Sequence, residues 1–504
     1  MPYLMGIDAG TSVVKCAIFD DQGETVAVSS HSVPILTPHS GWAEQDPVSV
    51  WGAVCACTRS ALAKAGIHAG EIAALGVCAQ GDGLWLVDAD LRPVRPAPLW
   101  LDGRAGALVE AWQGEGADRE YYRWTGSVLF PGVQAALLRW MELHEPHVLR
   151  RARWGLYCTD WIVACLTGRV VTDRSNGSRA TRALETGAWS PELARVLGLG
   201  TGSDLLPEVV DGGTVFGTVS PAAAAATGLP AGLPVASAMI DVSACLIGAG
   251  GVVPGNAVTI LGSTALSTVI SSAPVLEPEV VGINLPLPCG GWARLMSTMA
   301  GTLNLDWVLG LVDLDLPTAM SEAASVPPGA GGILFLPFVS PGGERAPFVK
   351  PTARAGFFGL GQQTGRAQLV RSVLEGLALA VRHSYAHLPA VSGSVRLVGG
   401  GARSPGWCQI LADMLGYEIE VLSTEELGAL GVALSAGVTL GVLPDLPVAL
   451  QQWVKPRHRY NPGPAAPLYG DLFRLYTALI DSQMPLWDQR AAISWPTSPN
   501  NTEL

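Results

Sequence analysis

One local pattern occurs twice in this chain, and it limits the fold more than any other feature. Apolar runs at 3–7 and 13–19 flank a short turn of Gly, Thr and Ser, and a Gly-Ser-Thr turn divides a similar apolar stretch at 256–270. Short apolar runs bounded by turn residues predict strands. Each copy therefore predicts a strand, a tight turn and a second strand, and two copies of one such unit indicate two related α/β domains.

Helical and extended patterns alternate around these hairpins. Asp46 followed by Pro47 is typical of a helix N-terminus, because the first helical position leaves its amide unbonded and so accepts proline. A buried strand is predicted over 72–78. A third glycine turn, at 399–404, follows an apolar strand and precedes a helical pattern. This alternation predicts an α/β fold class.

The domain boundaries are predicted from the two hairpins. We expect an N-terminal domain over 1–238, a C-terminal domain over 239–450, and a C-terminal helix with a polar tail over 451–504. The stretch 221–234 beside the first boundary is rich in Ala and Pro, and it suits either a linker or a short helix. The tail beyond Pro485 is polar and is expected to fray.

Composition argues against several classes of protein. The 31 Lys and Arg against 43 Asp and Glu give a formal net charge of −12, and no basic cluster for a nucleic acid or an anionic membrane is present. The uncharged stretch 242–276 is interrupted by a Pro-Gly-Asn turn, so a membrane span is not predicted. The nine Cys have no C-x-x-C spacing, and the N-terminus does not resemble a signal peptide. We expect a cytoplasmic protein with reduced thiols.

The first hairpin carries residue types that suit a phosphate group. Gly10 lets the backbone approach a phosphate, while the amide and hydroxyl groups of Thr11 and Ser12 donate to it. Asp8 suits a hydrated Mg²⁺, which keeps several waters and takes only one or two carboxylates. Lys15 supplies a point charge for a γ-phosphate. A motif this short is also compatible with an ordinary hairpin that has a polar turn.

Other nucleotide and hydrolase motifs are absent. None of the four lysines follows a glycine, so no Walker phosphate loop is present, and strict G-x-G-x-x-G, H-E-x-x-H and G-x-S-x-G patterns are missing. The two hairpin turns, together with the glycine turn at 399–404, therefore remain as the candidates for nucleotide binding.

Taken together, these turns resemble the actin, hexokinase and heat-shock-chaperone ATPase superfamily. Within it, the sequence resembles the FGGY carbohydrate kinases from about residue 3 to residue 440. The matching motifs occur in family order, and they are Gly6-Ile-Asp-Ala-Gly-Thr-Ser12, Gly41-Trp-Ala-Glu-Gln-Asp-Pro47, Pro96-Ala-Pro-Leu-Trp-Leu-Asp-Gly-Arg104, Leu166-Thr-Gly168, Pro341-Gly-Gly-Glu-Arg-Ala-Pro347 and Gly399-Gly-Gly-Ala-Arg-Ser404.

The resemblance implies two ribonuclease-H-like (actin-like ATPase) domains around a nucleotide and sugar cleft. It further implies a kinase that uses ATP and Mg²⁺ to phosphorylate a hydroxyl of a small linear polyol or ketose. The residues that it assigns to ATP are Gly10, Thr11, Ser12, Lys15, Gly262, Ser263, Thr264, Gly400, Gly401, Ala402, Arg403 and Ser404.

Asp241 is the catalytic candidate that the resemblance implies, as a general base for the substrate hydroxyl. Its neighbours Ile, Val, Ala and Cys place a carboxylate in an apolar setting where a pKa can be tuned. With Asp8 it is also expected to hold Mg²⁺ through water. A helix N-cap is the alternative role for an aspartate in this position.

Substrate contacts are expected at the end of the strand over 72–78. Gln80, Gly81 and Asp82 offer hydrogen-bonding groups and close backbone approach, and Asp241 and Asp102 add further polar contacts. Asp102 is equally suited to a structural pair with Arg104. Family members often carry Gln-x-His-Gly here, and the Gln-Gly-Asp-Gly-x-Trp-Leu form in this chain resembles the erythritol- and L-xylulose-kinase-like branch.

A second class of function stays open at this point. An actin- or chaperone-like nucleotide-binding module, or an inactive kinase homologue that acts as a sensor, would carry the same turns. The intact Asp8, Thr11, Asp241 and Gly262 argue against inactivity, and no peptide-binding domain is evident after residue 450. The expected partner is a small sugar or polyol, with neither nucleic acid nor membrane. The sequence leaves the oligomeric state open, with a homodimer among the alternatives.

Overall fold

The computed structural model describes residues 2–177, 181–200 and 204–494, which divide into two compact units. Unit 1 takes its residues from 1–258, 269–295 and 422–457, and unit 2 takes its residues from 259–268, 296–421 and from 458 onwards. The units therefore interleave along the chain. The continuous domains expected at 1–238, 239–450 and 451–504 stay a prediction.

Strands and helices alternate along the described residues. The strands are β1 Tyr3–Ala9, β2 Val13–Phe19, β3 Thr25–Ser32, β4 Glu44–Gln45, β5 Ile72–Ala79, β6 Trp85–Val87, β7 Ala97–Pro98, β8 Trp154–Leu156, β9 Val171–Asp173, β10 Glu208–Val210, β11 Gly217–Thr218, β12 Pro234–Ile240, β13 Ala257–Leu261, β14 Ala265–Ser271, β15 Ile283–Pro286, β16 Trp292–Thr298, β17 Leu334–Leu336, β18 Gly356–Phe358, β19 Val395–Val398, β20 Ile419–Leu422 and β21 Pro456–Tyr460. The helices are α1 Pro47–Ala65, α2 Gly106–Glu115, α3 Ala117–Thr125, α4 Gln134–His144, α5 Pro146–Leu149, α6 Cys158–Thr167, α7 Arg174–Gly177, α8 Pro191–Val196, α9 Pro221–Thr227, α10 Asp241–Gly248, α11 Thr302–Val312, α12 Leu316–Ala324, α13 Arg366–Tyr385, α14 Pro405–Leu415, α15 Leu427–Thr439, α16 Leu446–Trp453 and α17 Ala466–Ala491.

Unit 1 is built on a six-stranded sheet with the order β11-β12-β5-β1-β2-β3. The predicted first hairpin is confirmed, because β1 and β2 pair antiparallel. Strands β12, β5 and β1 are neighbours and run parallel, with Ala79 paired to both Ala9 and Ile240. Their carboxyl ends therefore meet at one edge of the sheet.

Helix α15 covers one face of this sheet at very close range. Two glycines on this face allow the close approach. A Cβ on Gly6 would lie 2.0 Å from the Ala429 carbonyl oxygen, and a Cβ on Gly76 would lie 2.2 Å from the Val432 carbonyl oxygen. Successive strand residues point to opposite faces, so the neighbouring Met5 and Ile7 point away from α15. They belong to a core that also includes residues of α1 and α6.

Unit 2 packs its helices around α13. This helix is buried over most of its length and contacts α11, α12, α14 and α17. Unit 2 also contains the parallel pair of β19 with β20. The predicted second hairpin is confirmed as β13 and β14, and the strand before the glycine turn at 399–404 is confirmed as β19.

Local predictions outside the hairpins are also confirmed. The Asp46 carboxylate caps α1 by accepting from the amides of Val48 and Ser49, and the strand over 72–78 is β5. Of the two alternatives for 221–234, the structure has a short helix, α9. All nine cysteines are free thiols. Over the described ranges, no helix combines the length and the apolar character that crossing a membrane requires.

The prediction that the chain frays beyond Pro485 is wrong for the residues that directly follow it. Helix α17 contains Pro485 and continues to Ala491. Trp487 holds this end, because its indole is buried against Phe338 and its Nε1 donates to the Arg354 carbonyl at 3.1 Å. Tertiary packing thus outweighs the local preference of proline. The rest of the predicted tail, 495–504, lies outside the described residues.

Candidate active site

The turn of the first hairpin is held in one shape by contacts within unit 1. The Gly10 amide donates to the Val13 carbonyl at 3.1 Å. The Thr11 carbonyl accepts from Gln45 Nε2, and the Thr11 hydroxyl accepts from Trp100 Nε1 at 3.0 Å. Ser12 is exposed at the tip of the turn. The structure thus brings 10–12 together in one ordered turn, as a phosphate-binding loop requires.

Asp8 lies directly beside this turn, and its carboxyl group is in an unusual setting. Burial raises the pKa of Asp8 to about 6, although Lys15 and a hydrogen bond with the Cys78 thiol act in the opposite direction. Lys15 is the residue paired with Asp8 across the hairpin, and its Nζ lies 3.0 Å from a carboxylate oxygen of Glu426. The predicted metal ligand and the predicted phosphate ligand are therefore neighbours.

A glycine of α15 makes room for the Asp8 carboxylate. A Cβ on Gly428 would lie 2.3 Å from Asp8 Oδ2 and 3.4 Å from the Cys78 sulfur. Real Cβ atoms do not approach an oxygen this closely, so only glycine fits this position without movement of the carboxylate. The first turn of α15 therefore determines where the Asp8 carboxylate can lie.

Gln80 follows β5 at the same edge of the sheet and is almost fully buried. Its amide N–H donates to the Ala9 carbonyl at 2.9 Å, and its side-chain Nε2 donates to Gln45 Oε1 at 2.6 Å. The remaining atom, Gln80 Oε1, is buried and accepts no hydrogen bond within the described part of the chain. Asp82, two residues on, is buried and has a φ of 54°, a backbone conformation that residues other than glycine rarely adopt.

Asp241 begins α10 directly after β12. It occupies the first helical position, because the N-cap is Ile240, and its Oδ1 accepts from the Val242 amide at 2.7 Å. Its side chain is partly exposed. The N-cap alternative is therefore not the arrangement that the structure has.

The thiols of the buried Cys78 and of the partly exposed Cys245 both lie near Asp8 and Asp241. Burial raises the pKa of the Cys245 thiol to about 12, and both aspartates add to this effect by their negative charge. The same two carboxylates raise the pKa of Cys78, for which burial is again the largest cause. The negative charges of Asp8 and Asp241 therefore act on the same two thiols at the carboxyl edge of the sheet.

Asp102 has a different environment from the other predicted substrate residues. It is buried, and its carboxylate accepts from the Ala43 amide at 2.7 Å and from Arg104 Nε and Nη2 at 2.8 and 2.9 Å. Both carboxylate oxygens of Asp102 thus accept hydrogen bonds from groups of the protein itself. The structural pair with Arg104 is confirmed, whereas a contact of Asp102 with substrate stays a prediction.

In unit 2 the turn of the second hairpin is polar, like the turn of the first hairpin. The Gly262 amide donates to the Thr264 carbonyl at 3.0 Å, and the Gly262 carbonyl accepts from the Thr302 amide at 2.8 Å. Ser263 is exposed, and its carbonyl lies so close to Gly301 that a Cβ there would be 2.3 Å from it. The start of α11 therefore packs against this turn and is hydrogen-bonded to it.

The glycine turn at 399–404 packs beside the second hairpin, within unit 2. Gly399 has a φ of 90°, and a Cβ there would lie 2.7 Å from the carbonyl oxygen of Leu261, the residue before the hairpin turn. Gly400–Arg403 form a single 3-10 turn, and the Ser404 hydroxyl caps α14 by accepting from the Trp407 amide. The two predicted nucleotide segments of unit 2 are thus brought together.

The chemistry of the site is that of oxygen ligands and hydrogen bonds. In the described ranges no group of three His, Cys, Asp or Glu side chains suited to a metal ion is found.

Gln45, Glu426 and Gly428 are site residues that the sequence analysis did not predict. Gln45 lies within a matching motif, but Glu426 and Gly428 contact residues more than 400 positions away, and no local signal marks them.

The chain is similar to proteins of known function over almost its whole length. Models of the FGGY family of carbohydrate kinases match residues 3–248 (N-terminal domain) and 257–440 (C-terminal domain). Erythritol kinase of Brucella abortus is 34% identical, over 97% of this chain and 98% of its own. Xylulose kinase of Escherichia coli is also 34% identical, over 88% and 93% respectively.

Solved structures show the same fold. A xylulose kinase from Rhodospirillum rubrum, 28% identical, superposes with a TM-score of 0.88 over 96% of this chain and 100% of its own. A ligand-bound xylulose kinase from Lactobacillus acidophilus, 23% identical, gives a TM-score of 0.91 over 97% and 100%. The predicted α/β class and actin-like ATPase fold are confirmed.

Proposed function

Because this chain belongs to the FGGY family of carbohydrate kinases, and is thus an ATP-dependent kinase of a sugar or polyol, we propose that its substrate is a small linear polyol or ketose. The similarity to erythritol kinase and to xylulose kinases supports an acceptor of four or five carbons. A cytoplasmic location and a homodimer stay predictions.

One observation carries the assignment of the site to the edge of the unit 1 sheet. Asp8, Gln80 and Asp241 lie at or directly after the ends of β1, β5 and β12, three neighbouring parallel strands in matched register. Ligands of open α/β sheets bind outside the carboxyl ends of such strands. Acceptors for hydroxyl groups and two carboxylates are thus available at one place.

The proposed reaction uses Asp241 as general base. As the substrate hydroxyl oxygen forms a bond to the γ-phosphorus of ATP, its proton passes to the Asp241 carboxylate, and the bond from that phosphorus to the β–γ bridging oxygen breaks. The products are ADP and a sugar phosphate. Phosphoryl transfer depends mainly on positioning and charge neutralisation, which we assign to the turn residues 10–12 in unit 1 and to 262–264 and 400–404 in unit 2.

Asp8 and Asp241 fit a hydrated Mg²⁺. Both offer carboxylate oxygens, the ligand type that Mg²⁺ prefers, and the site needs only one or two of them because the ion keeps its waters. Gly428 leaves the Asp8 carboxylate free of a side-chain neighbour on α15. When bound, the ion supplies positive charge that neutralises the phosphoryl oxygens.

The variant Gly428→Ala tests whether the position of the Asp8 carboxylate matters. Its methyl group would overlap Asp8 Oδ2 and displace the carboxylate. We expect the Mg²⁺ concentration for half-maximal activity to rise about 10-fold or more, as for residues that orient metal ligands. Gly52→Ala in α1, where a Cβ meets no atom within 4 Å, is the matched control. An unchanged Mg²⁺ requirement in Gly428→Ala would remove Asp8 from the metal site.

The proposed function itself is tested by ADP release with a panel of tetritols, pentitols and ketoses. We expect ADP production to depend on one or a few of these acceptors and to be low in their absence, because a bound hydroxyl is held in position for attack and water is not. A flat response across the panel, combined with tight ATP binding, would instead support the non-catalytic module.

A further inference from the structure

We infer that Gln45 is a positioning residue, which turns the Gln80 amide so that its oxygen, rather than its NH₂ group, faces the substrate. The inference rests on the proposed function and deepens it, because it states what the substrate must offer at this point: a hydroxyl group that donates a hydrogen bond. The three groups involved are the Thr11 carbonyl, the Gln45 side chain and the Gln80 side chain, all within unit 1.

The orientation of Gln45 follows from its contact with the backbone. A carbonyl oxygen can only accept, so the Gln45 atom that faces the Thr11 carbonyl must be Nε2. Gln45 is fully buried, and its backbone is fixed in the pair β4–β7 opposite Ala97. The side chain therefore presents Oε1 at its other end.

The orientation of Gln80 follows from that of Gln45. Gln45 Oε1 lies 2.6 Å from the terminal amide of Gln80, and two carbonyl oxygens at this distance would repel each other, so Gln80 must present Nε2. Only 2% of Gln80 is exposed, which leaves little access for bulk water to replace this bond. A backbone carbonyl in the phosphate turn thus sets the direction of an amide in the substrate loop.

The consequence is a buried acceptor that lacks a donor. Gln80 Oε1 has no hydrogen-bond partner within the described residues. A buried polar atom without a partner has lost its hydrogen bond to water and has gained none in return, which is unfavourable. A substrate hydroxyl that donates to this oxygen removes that cost, whereas an analogue with hydrogen in place of this hydroxyl does not. Gln45 therefore contributes to specificity without touching the substrate.

Two substitutions of Gln45 separate this role from a merely structural one. Gln45→Met offers Gln80 Nε2 only a weak sulfur acceptor in place of a carbonyl oxygen, so it no longer holds the Gln80 amide in one orientation. Gln45→Glu still accepts from Gln80 Nε2, although it no longer donates to the Thr11 carbonyl. Both variants lose the contact with Thr11, and only the methionine variant loses the orientation of Gln80.

The readout is the preference for the acceptor over its monodeoxy analogues, each with one hydroxyl replaced by hydrogen. We expect the wild type to prefer the parent compound over one such analogue by about 10- to 100-fold in kcat/KM. In Gln45→Met this preference should fall below about threefold, whereas Gln45→Glu should keep it.

Several results would overturn the inference while the proposed function stands. They are an unchanged preference in Gln45→Met, or an equal loss in Gln45→Met and Gln45→Glu. Calorimetric binding of the same compounds distinguishes a failure of this inference from a failure of the proposed function. Binding that depends on Gln45 without any turnover would refute the proposed function alone, and the absence of both binding and turnover would refute both.

Discussion

Asp241→Asn is expected to lower kcat by about 10²- to 10⁴-fold, the range that a positioned general base contributes. The amide is close in shape to the carboxylate, so the contact with the Val242 amide and the start of α10 should persist. What disappears is the group that we propose takes the proton from the attacking hydroxyl. ATP binding should stay within a few-fold of wild type, because the turn residues proposed to contact the phosphates are unchanged.

The matched control is Asp118→Asn. Asp118 also lies in the first turn of a helix, α3, and in the same unit, but α3 follows another helix and not a strand of the six-stranded sheet. Replacing the Asp118 carboxylate by an amide should leave kcat unchanged. The measurement is the coupled release of ADP with the acceptor found in the panel, together with nucleotide binding by calorimetry. Near-native turnover of Asp241→Asn would remove this residue from the mechanism.

Gly431→Ala is expected to be strongly destabilising. Its Cβ would lie 1.9 Å from the Ala244 carbonyl oxygen and 2.8 Å from the Gly248 amide nitrogen, both backbone atoms of α10. Backbone cannot turn away as a side chain can, so α10 and α15 would have to separate. We expect a loss of about 3 kcal/mol or more in the free energy of unfolding, and reduced activity because Asp241 begins α10.

Thermal denaturation measures this effect, and Gly52→Ala is its control. Both glycines lie inside helices, yet the Cβ at position 52 meets no atom within 4 Å. There the helix propensity of alanine should stabilise the protein by about 0.5–1 kcal/mol. If the two variants had the same melting temperature, the close approach of α10 and α15 would be refuted.

The sequence predicted the parts of the fold that local rules determine. The β1–β2 hairpin was visible because apolar runs flank a turn of small residues, and α1 because Asp46 and Pro47 form a start signal. Asp8, Gln80 and Asp241 could be proposed because each follows a predicted strand or belongs to a motif that resembles the family. These features need only a few adjacent residues.

Contacts between distant segments could not be predicted in this way. Gln45 is 34 residues from Thr11 and 35 from Gln80, and nothing in its own neighbourhood indicates which groups it bonds. Gly428 lies in the first turn of α15, its neighbours in the sequence form no recognisable motif, and only the fold brings it close to Asp8. Pro485 shows the opposite failure, since a strong local signal is overridden by the packing of Trp487.

A crystal structure with the accepted polyol and a non-hydrolysable ATP analogue tests the site most directly. We expect one substrate hydroxyl within hydrogen-bond distance of the Asp241 carboxylate, and another that donates to Gln80 Oε1. A polyol bound away from the ends of β1, β5 and β12, or one whose hydroxyls do not reach Asp241, would contradict the proposed mechanism.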